Sequence, residues 1–435
     1  MTMMKTGLRA GQAIELQIEK PAAGGRMIGR YDGQVVLVAG AVPGEIVSAR
    51  VERADKRLAF AVVTGIATAS PDRRAGFGDP ACGGCLYSHI SYARQRELKS
   101  EIIADAFARI GREPLSGPVP VAASPECAYR MRARFHVEGG RAGFFREGTH
   151  VLCDPVPTGQ LSDAAIAAVR SAVEHVERSG ARAASVELTE NIAATERALA
   201  LEVDDVAKVS RTALGRLVDS AAIGGCLVVD SRGSHAAVGE LSVGDPISVL
   251  SMGRGSTGQL RRQPASFFQA NRFLMPSLVA TVLDAVLPDG VVVDLYAGVG
   301  LFSISLAACG RTGITAVEGD RVSGADLQRN AGAFGEALTL SLESVEAYLA
   351  SLQTAGERGM TIVVDPPRTG ISAEALASMI GVRAARVVYV SCDPATLARD
   401  ARRLLDAGYS LSRIEAFDLF PNTPHVESVA VFDRT

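Results

Sequence analysis

Tryptophan is missing from this chain of 435 residues, and aromatic residues make up only 5% of it. Long apolar runs are missing too, since none approaches the roughly 18 residues that a membrane-spanning helix requires. The first residues, MTMMKTGLRAGQ, lack the apolar core of a secretory signal. We therefore expect a cytoplasmic monomer with no membrane partner. The hydrophobic fraction of 47% suits two or three ordinary globular domains.

Cysteine is scarce, with seven residues spread along the chain. Because the number is odd and the chain is long, we do not expect the disulfide framework that is typical of small secreted proteins. In a reducing compartment, metal-binding or catalytic roles are the more usual reason for such cysteines.

A strong basic charge is also missing, because the net charge is −3. The charge is unevenly distributed, however: residues 1–75 contain 11 Lys and Arg against 7 Asp and Glu, and residues 91–152 contain 10 against 7. The second region includes a cluster formed by Arg130, Arg132, Arg134, Arg141 and Arg146. This basic front half permits RNA binding, although a solvated surface of mixed charge explains it equally well.

Three regions of the chain differ in their pattern. Residues 1–70 contain short β segments separated by glycine turns, which predicts a small barrel. Residues 71–265 mix strands and helices, which predicts an α+β domain; its first helix, over 92–112, has an apolar face made by Leu98, Ile102, Ala106 and Ile110. Residues 266–435 alternate strands with helices, which predicts a Rossmann-like α/β domain with a parallel sheet.

The segment VVVDLYAGVGLFSISLA predicts a strand, a glycine turn and a helix that bind a cofactor. Gly298 and Gly300 allow a ligand to approach the backbone, and the helix start offers free N–H groups. Asp294 ends the strand, and Glu318 ends the next strand, 24 residues on, where a carboxylate accepts hydrogen bonds from ribose hydroxyls. Because Ser303 replaces the third glycine of a dinucleotide fingerprint, both NAD and S-adenosylmethionine remain candidates.

Three groups with catalytic chemistry follow at strand ends. Asp365 ends a predicted strand before two prolines, Cys392 ends the next one in YVSCDP, and Glu427 precedes the last strand. Open α/β sheets keep their chemistry at the carboxyl ends of their strands. A lone cysteine is more often part of the core, but a thiol and two carboxylates at one edge predict a nucleophile with a general base. We expect His425 to have a structural role and leave it outside the catalytic set.

These segments resemble those of the bacterial RNA (uracil-5-)-methyltransferases, which make 5-methyluridine in 23S ribosomal RNA and in tRNA. The residues that carry the resemblance are FFQANR, DLYAGVGLFS, AVEGD, DPPRTG, YVSCDPATLARD and DLFPNTPHVESV, in that order. The N-terminal strands resemble the TRAM barrel of the same family. The resemblance implies a class I S-adenosylmethionine-dependent methyltransferase domain over 266–435, a TRAM-like barrel over 1–70 and an RNA-binding central domain over 71–265.

The resemblance also implies a role for each site residue. Cys392 would be the nucleophile that attacks C6 of uracil, Glu427 the base that removes the C5 proton, and Asp365 the group that orients them. The cofactor would be held by Gln269, Asp294, Tyr296, Gly298, Gly300, Glu318 and Asp365.

The segment SCDP departs from the SCNP of many relatives. The carboxylate of Asp393 beside the thiol is expected to raise the pKa of Cys392. Arg368 and Arg399 are the candidates for compensating that charge.

The implied substrate is a uridine extruded from an RNA loop. We expect 23S rRNA, with the T-loop of tRNA as the alternative within the same class. A non-catalytic RNA-binding or assembly factor is the alternative from another class, and an NAD-linked oxidoreductase fits the glycine loop alone.

The segment ACGGCLY resembles the iron–sulfur region of the same family. Cys82, Cys85 and Cys153 match three of the four ligands of a [4Fe–4S] cluster, but Gly76 stands where the first cysteine is expected. We expect a structural cluster whose fourth ligand is left open; Asp79 and Cys127 are candidates.

Overall fold

The N-terminal region forms a closed barrel of five strands. The computed structural model describes residues 7–352 and 359–435, so residues 1–6 of the predicted barrel lie outside the described ones. The strands are β1 (Ala13–Pro21), β2 (Met27–Tyr31), β3 (Gln34–Ala39), β4 (Ile46–Ala54) and β5 (Leu58–Thr68), in the order β1-β2-β3-β5-β4. Alternation along β1 buries Ile14, Leu16 and Ile18 inside the barrel. The predicted barrel is confirmed.

Helix α1 (Tyr92–Ala106) follows the connector and continues as a π-helical turn over Phe107–Gly111. Leu98, Ile102 and Ala106 are buried, as predicted, but Ile110 is 44% exposed. The π turn is wider than an α turn, so the 3.6-residue period that placed Ile110 on the buried face no longer applies. A short strand, β6 (Val121–Ala122), comes next.

A seven-stranded sheet forms the central region, in the order β13-β12-β11-β10-β7-β8-β9. Its strands are β7 (Arg132–Glu138), β8 (Arg141–Phe145), β9 (Leu152–Cys153), β10 (Ala183–Glu190), β11 (Arg197–Val203), β12 (Gly225–Asp230) and β13 (His235–Gly239). Helices α2 (Asp163–Arg178) and α3 (Arg211–Ser220) pack on the sheet, with Ile166, Val169 and Val173 of α2 in the core. The α+β prediction holds for this sheet.

The C-terminal region contains an eight-stranded sheet, preceded by β14 (Val243–Pro246), α4 (Ile247–Leu250) and β15 (Gln259–Arg262). Its strand order is β18-β17-β16-β19-β20-β22-β21-β6. The strands are β16 (Val292–Leu295), β17 (Ile314–Val317), β18 (Leu338–Ser341), β19 (Thr361–Val364), β20 (Arg386–Ser391), β21 (Tyr409–Phe417) and β22 (Glu427–Arg434). The five strands from β18 to β20 are parallel, and β22 is antiparallel to both of its neighbours.

Helices cover both faces of this sheet, and each face has its own apolar core. They are α5 (Met275–Ala285), α6 (Leu301–Ala308), α7 (Arg321–Ala331), α8 (Val345–Ser351), α9 (Ala373–Val382) and α10 (Pro394–Asp406). The Rossmann-like prediction is confirmed. Within the described part of the chain, no helix is long and apolar enough to cross a membrane.

The segment from α1 to β6 belongs in space to the C-terminal sheet. β6 pairs with the edge strand β21, and α1 packs against α10. The sequence pattern had grouped residues 92–122 with the central region 71–265, because a strand of two residues gives no periodic signal and its partner lies almost 300 residues downstream.

Candidate active site

Three strands deliver the predicted catalytic groups to one edge of the C-terminal sheet. Asp365 follows β19, Cys392 follows β20, and Glu427 begins β22. Because β22 runs antiparallel to β20, with Ser428 opposite Ser391, its first residue lies at the edge where β20 ends. The topology therefore brings together three residues that the sequence placed only at strand ends.

Asp365 is held by the predicted cofactor residue Gln269. The amide nitrogen Nε2 of Gln269 donates a hydrogen bond to Oδ2 of Asp365 at 3.2 Å. Desolvation raises the pKa of Asp365 to about 7; the bond from Gln269 opposes this rise, and the charge of Asp294 adds to it.

Glu427 is the most deeply buried of the three groups, with 2% of its surface exposed. Desolvation raises its pKa well above the ordinary value for glutamate, and the nearby Asp365 raises it further, whereas Arg368 lowers it. Its Oε1 has no hydrogen-bond partner among the described residues. A buried carboxyl oxygen without a partner is costly to keep and is typical of a functional site.

Cys392 is half-buried, and its environment disfavours the thiolate. Desolvation raises the pKa of the thiol to about 12, and the charges of Glu427, Asp365 and Asp393 act in the same direction. Arg368 is the group that lowers it. The expected influence of Asp393 is thus present but secondary to burial, and Arg368 is the compensating cation.

Asp393 has a structural task of its own. Its carboxylate caps the N-terminus of α10 by accepting hydrogen bonds from the backbone N–H groups of Ala395 at 2.9 Å and Thr396 at 2.8 Å. The positive end of the helix partly offsets the carboxylate charge. An aspartate is therefore tolerated beside the thiol.

His425 carries little positive charge at neutral pH. Desolvation lowers its pKa to about 4, and Arg368, Lys99 and Arg130 lower it further. Its ring meets that of Phe420 edge-on, with ring centroids 6.0 Å apart. The side chain of His425 is exposed, and its structural role stays a prediction.

The glycine loop after β16 is held in place by two carboxylates. Glu318 accepts hydrogen bonds from the N–H groups of Gly298 and Asp320, both at 2.6 Å. Asp294 accepts one from the N–H of Ser303 at 3.0 Å through Oδ2, while its buried Oδ1 has no partner within residues 7–352 and 359–435. Desolvation raises the pKa of Asp294 to about 7.

Gly298, Gly300 and Tyr296 all adopt positive φ angles in this loop, +58°, +94° and +59°. A Cβ added at Gly298 would meet open space, which fits the predicted approach of a ligand. A Cβ added at Gly300 would lie 2.6 Å from a side-chain carbon of Ile304 and 2.8 Å from one of Leu327. Gly300 is therefore required for helix packing. The glycine pattern in the sequence is the same whether a glycine is needed for packing or for the approach of a ligand.

Sequence reasoning missed a buried ion pair behind the site. Lys99 of α1 donates to Asp418, which follows β21, and both side chains are fully buried. Lys99 also donates to the carbonyl oxygen of Phe420 at 3.1 Å, so α1 anchors the segment that leads to Glu427. A signal was available, because Gln95 and Lys99 interrupt the apolar face of the predicted helix.

The three cysteines of the predicted iron–sulfur site do not fit a cluster. Cys82 and Cys153 form a disulfide with each other, and Cys85 is a buried free thiol. A sulfur that is consumed in a disulfide does not ligate iron as a thiolate, and Asp79 is paired with Arg146 at 2.6 Å. In the described parts of the chain no group of three or more His, Cys, Asp or Glu is placed to hold a metal ion. The cluster prediction is not supported.

Comparison with protein families assigns both ends of the chain. The model of the tRNA (uracil-5-)-methyltransferases matches residues 202–435, and the model of the TRAM domain matches residues 8–64. Two relatives align with 97% of this chain, and both bear the name 23S rRNA (uracil(1939)-C(5))-methyltransferase RlmD. The protein of Methylococcus capsulatus is 31% identical and that of Halomonas elongata is 33% identical. The aligned parts make up 97% and 89% of those two proteins.

A solved structure supports the fold. The Pyrococcus abyssi tRNA (uracil-54, C5)-methyltransferase in complex with S-adenosyl-L-homocysteine superposes with a TM-score of 0.75, at 23% identity, over 96% of this chain and 99% of that one. The family model over residues 202–435 and the TRAM domain before it place the chain among the RNA methyltransferases. The chain belongs to the tRNA (uracil-5-)-methyltransferase family: it is an S-adenosylmethionine-dependent RNA (uracil-5-)-methyltransferase, and the NAD-linked alternative is not supported.

Proposed function

We propose that this enzyme methylates C5 of a uridine in 23S rRNA through a covalent bond between Cys392 and C6 of the base. The observation that carries the proposal is the meeting of Cys392, Asp365 and Glu427 at one sheet edge. Two near-full-length relatives bear the names of 23S rRNA enzymes, which supports 23S rRNA over tRNA.

The proposed chemistry explains why these residue types are needed. Uracil C5 is a poor nucleophile, and attack of the Cys392 thiolate on C6 forms a C–S bond and makes C5 an enolate carbon. S-adenosylmethionine, when bound, supplies a methyl group on a sulfonium centre that C5 accepts. Glu427 then removes the C5 proton, and the electrons of the C–H bond expel the thiolate from C6.

Burial suits Glu427 to its proposed task. The C5 proton is held by carbon next to a carbonyl group, and its removal needs a base placed at C5. Desolvation raises the pKa of Glu427 well above its ordinary value, which makes its carboxylate a stronger base, and basicity governs proton transfer. The charge of Asp365 acts on Glu427, and Asp365 is itself oriented by the hydrogen bond from Gln269, which suits the proposed orienting role of Asp365.

The described residues fit the methyl donor. Asp294 keeps a buried oxygen without a partner, and the backbone at Gly298 faces open space. Glu318 follows the neighbouring strand with a carboxylate able to accept hydrogen bonds from hydroxyl groups. We propose that Gln269, Asp294, Tyr296, Gly298, Glu318 and Asp365 hold the cofactor, with Gly300 supporting the turn.

Arginines paired with aromatic rings support an RNA partner. The guanidinium of Arg132 lies 5.6 Å from the ring centroid of Phe267, and Phe267 is 58% exposed. Arg130 lies 5.6 Å from the ring of Phe420. Rings and guanidinium planes of this kind stack on unpaired bases. Four aromatic residues alternate with the arginines of the Arg130–Arg146 segment: Phe145 is half-buried, whereas Tyr129, Phe135 and Phe144 belong to the core.

Methyl transfer from labelled S-adenosylmethionine tests the proposal. We expect incorporation into 23S rRNA fragments, together with loss of one 5-methyluridine from 23S rRNA in cells that lack the protein. Loss of 5-methyluridine from tRNA alone would favour the T-loop alternative. RNA binding without any transfer would favour the non-catalytic assembly factor.

A further inference from the structure

Two residues of α10, Arg399 and Asp400, hold the loop that follows Asp365. One nitrogen of the Arg399 guanidinium, Nη2, donates to the carbonyl oxygens of Thr369 at 3.2 Å and Ile371 at 3.4 Å. Asp400 accepts a hydrogen bond from the N–H of Ile371 at 3.1 Å. Both backbone polar groups of Ile371 are thus bound by neighbouring residues of one helix.

The same carboxylate also holds the strand that carries Cys392. The hydroxyl of Tyr389, on β20, donates to Oδ2 of Asp400 at 2.8 Å, and Arg399 Nε donates to Oδ1 at 2.8 Å. Asp400 and Tyr389 are almost completely buried. A buried carboxylate with three donors ties the strand of the thiol, the helix after it and the loop after Asp365 into one unit.

Gly370 shows how closely the loop lies on this pair. Its φ is +77°, and a Cβ added there would lie 2.5 Å from Arg399 Nη2 and 2.8 Å from Asp400 Oδ2. The loop therefore has no room for a side chain at this position, and its backbone is fixed against α10.

Arg368 immediately precedes the held residues, and its charge acts on the reacting groups. Four charged groups act on the pKa of the Cys392 thiol: Glu427 from β22, Arg368 and Asp365 from the loop after β19, and Asp393 from the start of α10. Of these, Arg368 alone favours the thiolate. Its side chain is exposed, and the backbone that follows it is held by Arg399 and Asp400.

We propose that Arg399 and Asp400 are positioning residues, which clamp loop 369–371 so that Arg368 is directed at Cys392. The clamp rests on the proposed function, because it serves the nucleophilic role of Cys392. Neither residue touches the reacting atoms, and both act through Arg368.

Alkylation of Cys392 by iodoacetamide between pH 6.5 and pH 10 tests the clamp without RNA or cofactor. Each unit by which the thiol pKa rises lowers the thiolate fraction about tenfold. We expect Arg368→Ala and Asp400→Asn each to slow alkylation several-fold at pH 8, and the double variant to be no slower than Arg368→Ala alone. The peptide that contains Cys392 is quantified by mass spectrometry.

Three further variants control for folding. Arg399→Lys keeps the charge but loses the planar guanidinium that donates several hydrogen bonds, so we expect an intermediate rate of alkylation. Gly370→Ala should break the clamp by steric conflict, with the same alkylation rate as Asp400→Asn. Arg402→Ala removes a surface pair with Asp406 on the same helix and should leave the rate unchanged. A wild-type rate in both Asp400→Asn and Gly370→Ala, or effects of Arg368→Ala and Asp400→Asn that multiply, would overturn the proposal. Because the alkylation assay needs no methyl transfer, its outcome is independent of the test of the 23S rRNA activity.

Discussion

Gln269 and Asp365 are joined by a hydrogen bond of 3.2 Å across 96 residues of sequence. The bond fixes the carboxyl of Asp365 at the mouth of the site, and it opposes the rise of the Asp365 pKa that desolvation produces. Gln269 therefore affects both the position and the protonation of its partner.

Replacing Gln269 with alanine should reduce methyl transfer. A hydrogen bond to a charged group contributes about 1.5–3 kcal/mol, which corresponds to a rate about 10- to 160-fold lower at pH 7. Without the bond the pKa of Asp365 rises further, so raising the pH to 9 should restore part of the activity. Single-turnover rates measure this, with Gln259→Ala, an exposed glutamine of β15, as the control. A pH-independent deficit would mean that Gln269 acts only by position.

Replacing Cys392 with alanine should abolish methyl transfer and leave RNA affinity unchanged, because the thiol is needed for bond formation at C6 and not for binding. Transfer from labelled S-adenosylmethionine and a filter-binding assay measure the two properties. Cys309→Ala, at an exposed cysteine, should behave as the wild type. Full turnover by the Cys392 variant would exclude the covalent mechanism.

Replacing Glu427 with glutamine should trap a covalent complex of protein and RNA. Attack and methylation still proceed, but the C5 proton has no acceptor and elimination from C6 stalls. Denaturing gel electrophoresis should show a slow, RNA-dependent band that is absent from the Cys392→Ala/Glu427→Gln double variant. Normal turnover without this band would assign the base to another residue.

Asp294 should make the enzyme less stable as the pH rises from 4 to 7. Its folded-state pKa of about 7 lies above the unfolded value of about 3.9. The free energy of unfolding that protonated Asp294 contributes is therefore fully present below the unfolded pKa. This contribution is lost as the pH rises through the folded pKa. Asp294→Asn should show a smaller fall in Tm over this range.

Differential scanning fluorimetry at pH 4.5, 5.5 and 7 provides the comparison for Asp294→Asn. The control is Asp320→Asn, at an exposed N-cap position of α7, where asparagine caps as well as aspartate. Equal pH dependence in both variants and the wild type would contradict a raised pKa for Asp294.

The disulfide between Cys82 and Cys153 should leave five of the seven cysteines alkylatable in the denatured, unreduced protein. Reduction should raise the number to seven. Iron and sulfide analysis after anaerobic purification should find neither element. Stoichiometric iron and sulfide, with Cys82, Cys85 and Cys153 protected together, would restore the cluster interpretation.

Local sequence patterns were enough to predict the barrel and the parallel sheet. Glycine turns separate the first four strands of the barrel, and Asp365 and Cys392 follow strands, and Glu427 begins one, that their own apolar runs predict. Parallel strands share one carboxyl edge, which places Asp365 near Cys392. Glu427 reaches the same edge because it begins the antiparallel strand β22. The site could be predicted because its position depends on strand ends rather than on particular tertiary contacts.

The features that escaped prediction depend on contacts between distant parts of the chain. The π turn exposes Ile110. Lys99 pairs with Asp418, which lies 319 residues downstream. Gly300 has no room for a side chain because Leu327 of another helix lies against it. No local pattern encodes the identity of such partners. The pairing of Cys82 with Cys153 belongs to the same class, because connectivity does not follow from spacing.

The burial of Lys99 against Asp418 has a consequence for the order in which the protein is completed. During synthesis, α1 leaves the ribosome 319 residues ahead of the aspartate that neutralises its lysine. Until then the ammonium group must stay hydrated, because burying an unpaired charge is strongly unfavourable. The central domain is thus translated while the catalytic unit is open, and that unit closes around α1 and β6 only when nearly the whole chain has been made. A fragment that begins at residue 266 would lack this closure, with an uncovered edge on β21 and a buried carboxylate without its cation.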